Sequence, residues 1–313
     1  MILSDSRARH GKGSVMTLRY WAIIVLLGGS WGASFFFNEI LLREIGPLSI
    51  GLGRVGMGAL GCWLYLLAAR KSLSLPRAML VPLAVFGLFQ YAVPLTVYPL
   101  TQQYITSGAA GIINAMTPIM VVCVGHFWPG GERATLGKSI GVAVGFAGIV
   151  IVVAPAFHID DASHPWALLA TMIAPLCYGI ALNLLRGLDG VDRVLLTAWS
   201  LTIGTVMIAP ISIGAEGIPV ITKAETWAAL IIIGFVLTSA AFIVLFWLIP
   251  RVGGTRASTI TFIAPISALL LGGLVLGEKI GPQHLLGMAV IFIGLAFLDG
   301  RIRWPRRNCK PIG

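Results

Sequence analysis

Ten long apolar segments dominate the pattern of hydrophobic and polar residues along the chain. They cover residues 20–40, 48–69, 78–98, 107–127, 139–156, 165–185, 194–213, 227–249, 257–276 and 283–298. A helix needs about 20 apolar residues to cross the hydrocarbon core of a membrane. Strands of a membrane barrel would alternate apolar and polar residues, and runs such as 228–236 do not. The pattern predicts an all-α integral membrane protein with ten transmembrane helices.

Composition strengthens this prediction. The chain is 57% hydrophobic and 11% charged, whereas a soluble protein is about a quarter charged. The first apolar segment is longer than the roughly 7 to 15 residues of a signal peptide, so it is expected to stay as an uncleaved helix. The four cysteines are far apart, and neither a disulfide framework nor a metal or other cofactor is expected.

The distribution of basic residues predicts the orientation of the chain. If the N-terminus is cytoplasmic, 18 of the 22 lysines and arginines lie in inner segments, and the outer loops hold only Arg43, Lys223 and Lys279. Positive charge concentrates on the cytoplasmic side of membrane proteins. We therefore expect a multi-pass protein of the plasma or inner membrane, with both basic termini in the cytoplasm and the loop at 158–164 outside. This distribution accounts for the net charge of +10, which therefore does not indicate nucleic-acid binding.

The chain contains an internal repeat. Residues 106–120 align with 253–267 at an offset of 147 (265 − 118), which places Pro118 on Pro265, and 131–133 match 277–279 at an offset of 146. Asn38 matches Asn183 at an offset of 145. The predicted units are residues 1–156 and 157–313, each with five helices. Because five is odd, the second unit enters the membrane from the opposite side, which is the inverted-repeat design of many transporters.

Several motifs resemble those of a known family. The stretch SWGASFFFNEILLREIGPLSIGLGRVGMGAL, the stretch SGAAGIINAMTPIM, the GER triplet and the glycine-rich GVAVGFAGIVIV resemble EamA-type transporters of the drug/metabolite transporter superfamily. The resemblance implies ten helices, cytoplasmic termini and export or exchange of small metabolites, often amino acids or toxic compounds, through a central cavity. Many members carry a lysine where this chain has Glu39, so the role of that lysine does not carry over.

Two ionisable residues fall within or beside the first two apolar segments. Ionisable groups at membrane depth are candidates for function. Arg54 lies about 9 Å below the outer end of the second helix, and Glu39 lies near the outer end of the first. Glu39 either marks the lipid boundary, pairs with Arg54, or binds substrate or a proton; the pair is favoured. Because the second half has no equivalent charge, Arg54 is the better functional candidate.

Further polar and aromatic residues complete the predicted substrate site. Pro118 and Pro265 each free a backbone carbonyl four residues earlier, at Asn114 and Thr261, which either serves a substrate or is satisfied by neighbouring helices. Tyr98 is predicted to belong to the interfacial aromatic belt, and Phe242 to offer an apolar wall. The substrate-binding set is Arg54, Glu39, Asn38, Gln90, Tyr91, Asn114, Thr261, Ser258 and Trp247.

The favoured function is an alternating-access secondary transporter for small metabolites such as amino acids, working as an exporter. An integral-membrane enzyme would need a catalytic cluster at depth, and the five histidines lie in tails, loops or helix ends. A channel-like facilitator would carry rings of charge, which the sequence lacks. The expected partners are a small-molecule substrate and membrane lipid. Substrate identity, proton coupling and a homodimer stay open.

Overall fold

The fold is all-helical over the part of the chain that the computed structural model describes, residues 17–157, 164–188 and 190–302. Eight helices are long and apolar enough to cross a membrane: α1 (Leu18–Leu42), α2 (Pro47–Ala68), α3 (Arg77–Gln102), α4 (Ser107–Phe127), α5 (Leu136–Ala156), α6 (Pro165–Gly187), α7 (Arg193–Glu216) and α8 (Ala224–Val252). Two shorter apolar helices follow, α9 (Ile260–Leu274) and α10 (Pro282–Leu298). The all-α prediction is confirmed. Residues 158–163 of the predicted outer loop at 158–164, residues 1–16 of the N-terminal tail and residues 303–313 of the C-terminal tail lie outside the described residues.

Helices α5 and α10 pack against each other along a seam of glycines. A Cβ atom added to Gly141 would lie 2.7 Å from the carbonyl oxygen of Gly294, and one added to Gly148 would lie 2.8 Å from that of Gly287. Small residues allow this close approach of two backbones. Residue numbers rise along α5 while they fall along α10, so the two helices are antiparallel.

Helices α2 and α7 are also antiparallel. Near the start of α2, the Ser49 hydroxyl lies 3.4 Å from that of Ser212 at the end of α7. Near the end of α2, Trp63 Nε1 donates a 2.9 Å hydrogen bond to Thr202 in the first half of α7. Each of these two antiparallel pairs joins helices that are equivalent in the predicted repeat.

The remaining contacts between the halves follow the same symmetry. Helix α1 packs on α9 as α4 packs on α6, and α2 packs on α8 as α3 packs on α7. The pairs are related by the repeat: adding five to the number of a first-half helix and subtracting five from that of a second-half helix converts α1–α9 into α6–α4 and α2–α8 into α7–α3. The core is therefore built between the halves and not within each half alone.

Irregular turns occur at matching places in the two halves. Helix α3 contains a π-helical segment at Leu88–Ala92, and α8 contains one at Ile232–Ala240. Helix α4 is interrupted between Asn114 and Thr117, directly before Pro118. The carbonyl of Asn114 accepts a 2.8 Å hydrogen bond from the Thr117 hydroxyl, so a neighbouring side chain already satisfies this carbonyl.

Candidate functional site

A cavity of about 520 Å³ lies between the halves. Five residues of the predicted site line it, namely Arg54, Gln90, Tyr91, Asn114 and Thr261. Helices α2, α3 and α4 of the first half and α9 of the second half carry these five side chains. A volume of this size suits a small organic molecule.

The cavity opens on the predicted cytoplasmic side. Lys138 in the first turn of α5, Arg186 in the last turn of α6 and Asp299 after α10 all line it, and these helix ends share one side of the molecule. Glu132 also lines this mouth, and its side chain is 65% exposed. Lys138 Nζ lies 2.6 Å from Glu132 Oε1. This hydrogen bond, with the positive charge of Lys138, lowers the pKa of Glu132.

Arg54 lies at depth beside the cavity and is only 6% exposed. Its Nε donates to the Thr238 hydroxyl over 3.1 Å, and its Nη2 donates to the Ser34 hydroxyl over 3.0 Å. The Thr238 hydroxyl donates in turn to the carbonyl of Ile233 over 2.8 Å, inside the π-helical segment of α8. That bond leaves the Thr238 oxygen as an acceptor for Arg54 and fixes the guanidinium in place.

The predicted ion pair between Glu39 and Arg54 is wrong. Glu39 Oε1 instead accepts a 3.3 Å hydrogen bond from Gln102 Nε2. The reason is depth: Arg54 bonds Ser34, which lies five residues before Glu39 and thus about 7.5 Å further from the outer end of α1. Glu39 belongs to a polar layer above the cavity.

This polar layer closes the cavity on the predicted outer side. Asn38 Nδ2 donates to Gln102 Oε1 over 2.8 Å, and Gln102 Nε2 donates to the carbonyl of Phe35 over 2.8 Å. Asn38 and Gln102 are both buried. Asn38 and Glu39 were predicted to bind substrate, whereas the structure places them in this layer and not in the cavity wall.

Carboxylates from one half bind helix N-termini of the other half on the same outer side. Glu278 accepts from the backbone N–H of Ser107 over 2.7 Å and of Gly108 over 3.1 Å, at the start of α4. Glu216 accepts from the N–H of Leu48 and Ser49 over 2.9 and 2.8 Å, at the start of α2. The first N–H groups of a helix have no partner within it and favour negative charge. These bonds tie the two halves together.

Glu44 makes the reciprocal contact. Its carboxylate accepts from the N–H of Thr222 over 2.8 Å and of Lys223 over 3.2 Å, just before α8. Hydrogen bonds from the side chains of Thr222 and Thr226, in that order of weight, and then from the backbone lower the pKa of Glu44 to about 2. The carboxylate is therefore ionised at any physiological pH.

Two predicted site residues do not line the cavity. Trp247 packs against Tyr20, with ring centroids 6.3 Å apart, and beneath the guanidinium of Arg251 at 4.1 Å. Ser258 donates a 3.1 Å hydrogen bond to Asp299. Both positions lie toward the predicted cytoplasmic end of the molecule.

The structure adds cavity residues that the sequence prediction missed. Tyr98 is buried and is not in the interfacial belt; it lines the cavity and donates a 2.7 Å hydrogen bond to Asn114 Oδ1. Its spacing of seven residues from Tyr91 puts both on one face of α3, a signal that was available. Trp31 and Tyr178 also line the cavity, as does Phe242, which was predicted as an apolar wall.

Comparison with known proteins gives the family. The model of the EamA-like transporter family matches residues 19–154 and again 165–298. The chain belongs to this family. The chain is thus a membrane transporter and not an enzyme, and the double match agrees with the repeat read from the sequence.

Individual relatives agree with this assignment. An uncharacterized transporter YoaV of Bacillus subtilis is 27% identical over 85% of this chain and 91% of its own length. A probable terminal-alkyne amino-acid exporter of Streptantibioticus cattleyicolor is 22% identical over 94% of this chain and 97% of its own. One crystal structure superposes with a TM-score of 0.64 over 90% of this chain and 97% of that chain, at 18% identity, which supports the fold alone.

Proposed function

We propose that this EamA-family protein is an alternating-access secondary transporter that exports small amphiphilic metabolites, such as amino acids or related compounds, across the plasma or inner membrane. The observation that carries the proposal is a cavity built by both halves, open at one end and closed at the other by the polar layer and by the contact of Glu278 with the start of α4. Alternating access requires such a site, because the site must be open to only one side of the membrane at a time.

Ten membrane-spanning helices in two inverted five-helix units, residues 1–156 and 157–313, are part of this proposal. Two observations support inversion. Equivalent helices α5 and α10 are antiparallel along the glycine seam, and α2 and α7 are antiparallel through their serine and tryptophan contacts. In this orientation both termini lie in the cytoplasm.

The repeat also indicates how the outward-open conformation of the transporter is built. Glu278 binds the start of α4 on the closed side, whereas its equivalent Glu132 (278 − 132 = 146) is exposed at the open mouth and pairs only with Lys138 among the described residues. In an inverted-repeat transporter the two halves exchange conformations. We infer that Glu278 is released and Glu132 is buried between the halves when the cavity opens outward.

The direction and substrate class rest on the relatives. One of them is named a probable amino-acid exporter, and the cavity opens toward the predicted cytoplasmic side, from which an exporter loads. The Arg54 guanidinium and the aromatic walls suit molecules with an acidic group and an apolar body.

Transport in proteoliposomes tests the proposal. Purified protein should move compounds from a metabolite screen unchanged and saturably, and unlabelled substrate on the far side should accelerate movement of labelled substrate, because exchange returns the loaded site faster than the empty one. Protein-free liposomes are the control. A pH gradient, applied or omitted, shows whether protons are coupled. Chemical conversion of the substrate would contradict transport, and linear flux without exchange stimulation would indicate a facilitator.

A further inference from the structure

The charge balance around Arg54 restricts what the cavity can hold. A guanidinium has five N–H donors, and Arg54 gives two hydrogen bonds, both to neutral hydroxyls. Within residues 17–157, 164–188 and 190–302, no carboxylate forms a salt bridge with Arg54. Burying a charge without a counter-ion raises the free energy of the folded protein. Binding of an anion from outside the protein would therefore stabilise this site.

The acidic residues of the cavity wall are both at the mouth. Glu132 pairs with Lys138, and Asp299 lies 3.5 Å from Arg301. A further carboxylate, Glu39 near the outer end of α1, lies in the polar layer and does not line the cavity. The deep part of the cavity therefore offers a cation for a ligand carboxylate and, among the described residues, no carboxylate for a ligand ammonium.

Gln90 supplies a second, independent feature. It lines the cavity and is 9% exposed, and its Oε1 has no hydrogen-bond partner among the residues that the structure describes. A buried carbonyl oxygen without a partner costs free energy. A ligand that donates an N–H or O–H to this oxygen would remove that cost.

Aromatic side chains form the apolar wall beside these polar groups. The ring centroids of Trp31 and Phe242 are 5.8 Å apart, and those of Tyr91 and Phe242 are 5.4 Å apart with near-perpendicular planes. All three line the cavity. Such a wall favours a ligand with an aromatic or branched body.

We propose that the preferred substrates are amphipathic organic monoanions: a carboxylate binds Arg54, an N–H or O–H near it donates to Gln90, and an apolar body packs on the aromatic wall. Hydroxy acids and N-acylated amino acids fit this description. Free amino acids bind less tightly, because their ammonium finds no counter-ion at depth, and organic cations are rejected. This inference rests on the proposed transport function and narrows its substrate class.

Four compounds with the same phenyl side chain test the order of preference. Phenyllactate carries an anion and a hydroxyl, phenylpropionate only the anion, phenylalanine is a zwitterion, and phenethylamine is a cation. Equilibrium binding to the purified full-length protein in lipid nanodiscs should rank them in that order. One neutral hydrogen bond predicts about a three- to tenfold gap between the first two, and the unpaired ammonium predicts at least about a tenfold gap between phenyllactate and phenylalanine.

Two variants connect the ranking to the residues. Gln90→Leu should remove the preference for phenyllactate over phenylpropionate and leave phenylpropionate binding unchanged within about twofold. Arg54→Gln should remove the preference for phenylpropionate over phenethylamine. If Arg54→Gln does not fold, Gln90→Leu and the wild-type ranking still decide the question.

Binding and transport separate the two proposals. If phenylalanine or phenethylamine binds as tightly as phenyllactate, or if none of the four binds, the substrate inference is overturned. If the ranking holds but no compound is carried across proteoliposomes, the inference on binding stands and the transport proposal fails.

Discussion

Replacement of Glu278 by glutamine should open the cavity to the outer side. The carboxylate binds two N–H groups at the start of α4, through Ser107 and Gly108. A hydrogen bond to a charged acceptor contributes about 1.5–3 kcal/mol. Glutamine keeps one acceptor oxygen and loses the other together with the charge. Because Glu278 is half-buried, we take the lower end, about 1.5 kcal/mol, which is about a tenfold shift toward the outward-open state.

Accessibility of a single cysteine measures this shift. Leu95 lines the cavity, seven residues before the end of α3 and so about 10 Å below the polar layer. In a background whose four native cysteines are alanine, a Leu95→Cys reporter should react slowly with an impermeant thiol reagent added outside cells. With Glu278→Gln the rate should rise about tenfold, in proportion to the outward-open fraction.

Two matched variants serve as controls. Glu225→Gln removes the same charge from the outer side, at an exposed position in the first turn of α8, and should leave the rate unchanged. Glu132→Gln removes the repeat equivalent and should lower outside labelling, because it weakens the outward-open state. An unchanged rate in monodisperse Glu278→Gln protein would refute the reasoning.

Three further predictions concern topology, acid stability and packing. Lys223→Cys should react with an impermeant reagent outside cells and Lys71→Cys only after permeabilisation; the reverse result would overturn the orientation. The hydrogen bonds that hold the pKa of Glu44 at about 2 stabilise the folded protein above the ordinary pKa near 4.5 and are lost as pH falls toward 2. Glu44→Gln should therefore flatten this acid limb of thermal unfolding in detergent, and an unaltered limb would count against it. Gly148→Ala should cost about 1–3 kcal/mol and lower the unfolding temperature, because its Cβ would lie 2.6 Å from Ile291 Cγ1, whereas Gly137→Ala, with open space around it, should not; equal temperatures would argue against the seam.

Local patterns in the sequence were sufficient to predict where the helices lie. Every predicted apolar segment coincides with a helix to within a few residues at its ends, because hydropathy and length are properties of one segment at a time. The repeat carried the prediction further: Gln90, Tyr91, Asn114 and Thr261 come from different halves and line one cavity. Their substrate contacts stay a prediction.

The side-chain contacts between helices that are distant in the chain could not be predicted from the sequence. Glu278 directly precedes α10 in the chain, yet it binds the start of α4 in the other half. Glu39 and Arg54 were predicted to pair, and the structure separates them because Arg54 lies deeper, at the level of Ser34, while Glu39 bonds Gln102 of α3. The partner of each carboxylate depends on how helices distant in the chain pack against one another. Patterns within a single segment carry no information on that packing.

The reciprocal glutamate contacts have a consequence for biogenesis. The ribosome delivers α2 and α4 before the carboxylates that bind their first N–H groups, since Glu216 and Glu278 lie in the second half. Until then these N–H groups have no partner from the protein and depend on water. The newly inserted first half is therefore an unfinished intermediate that depends on its successor, and a premature stop within the second half would leave it as a target for membrane quality control.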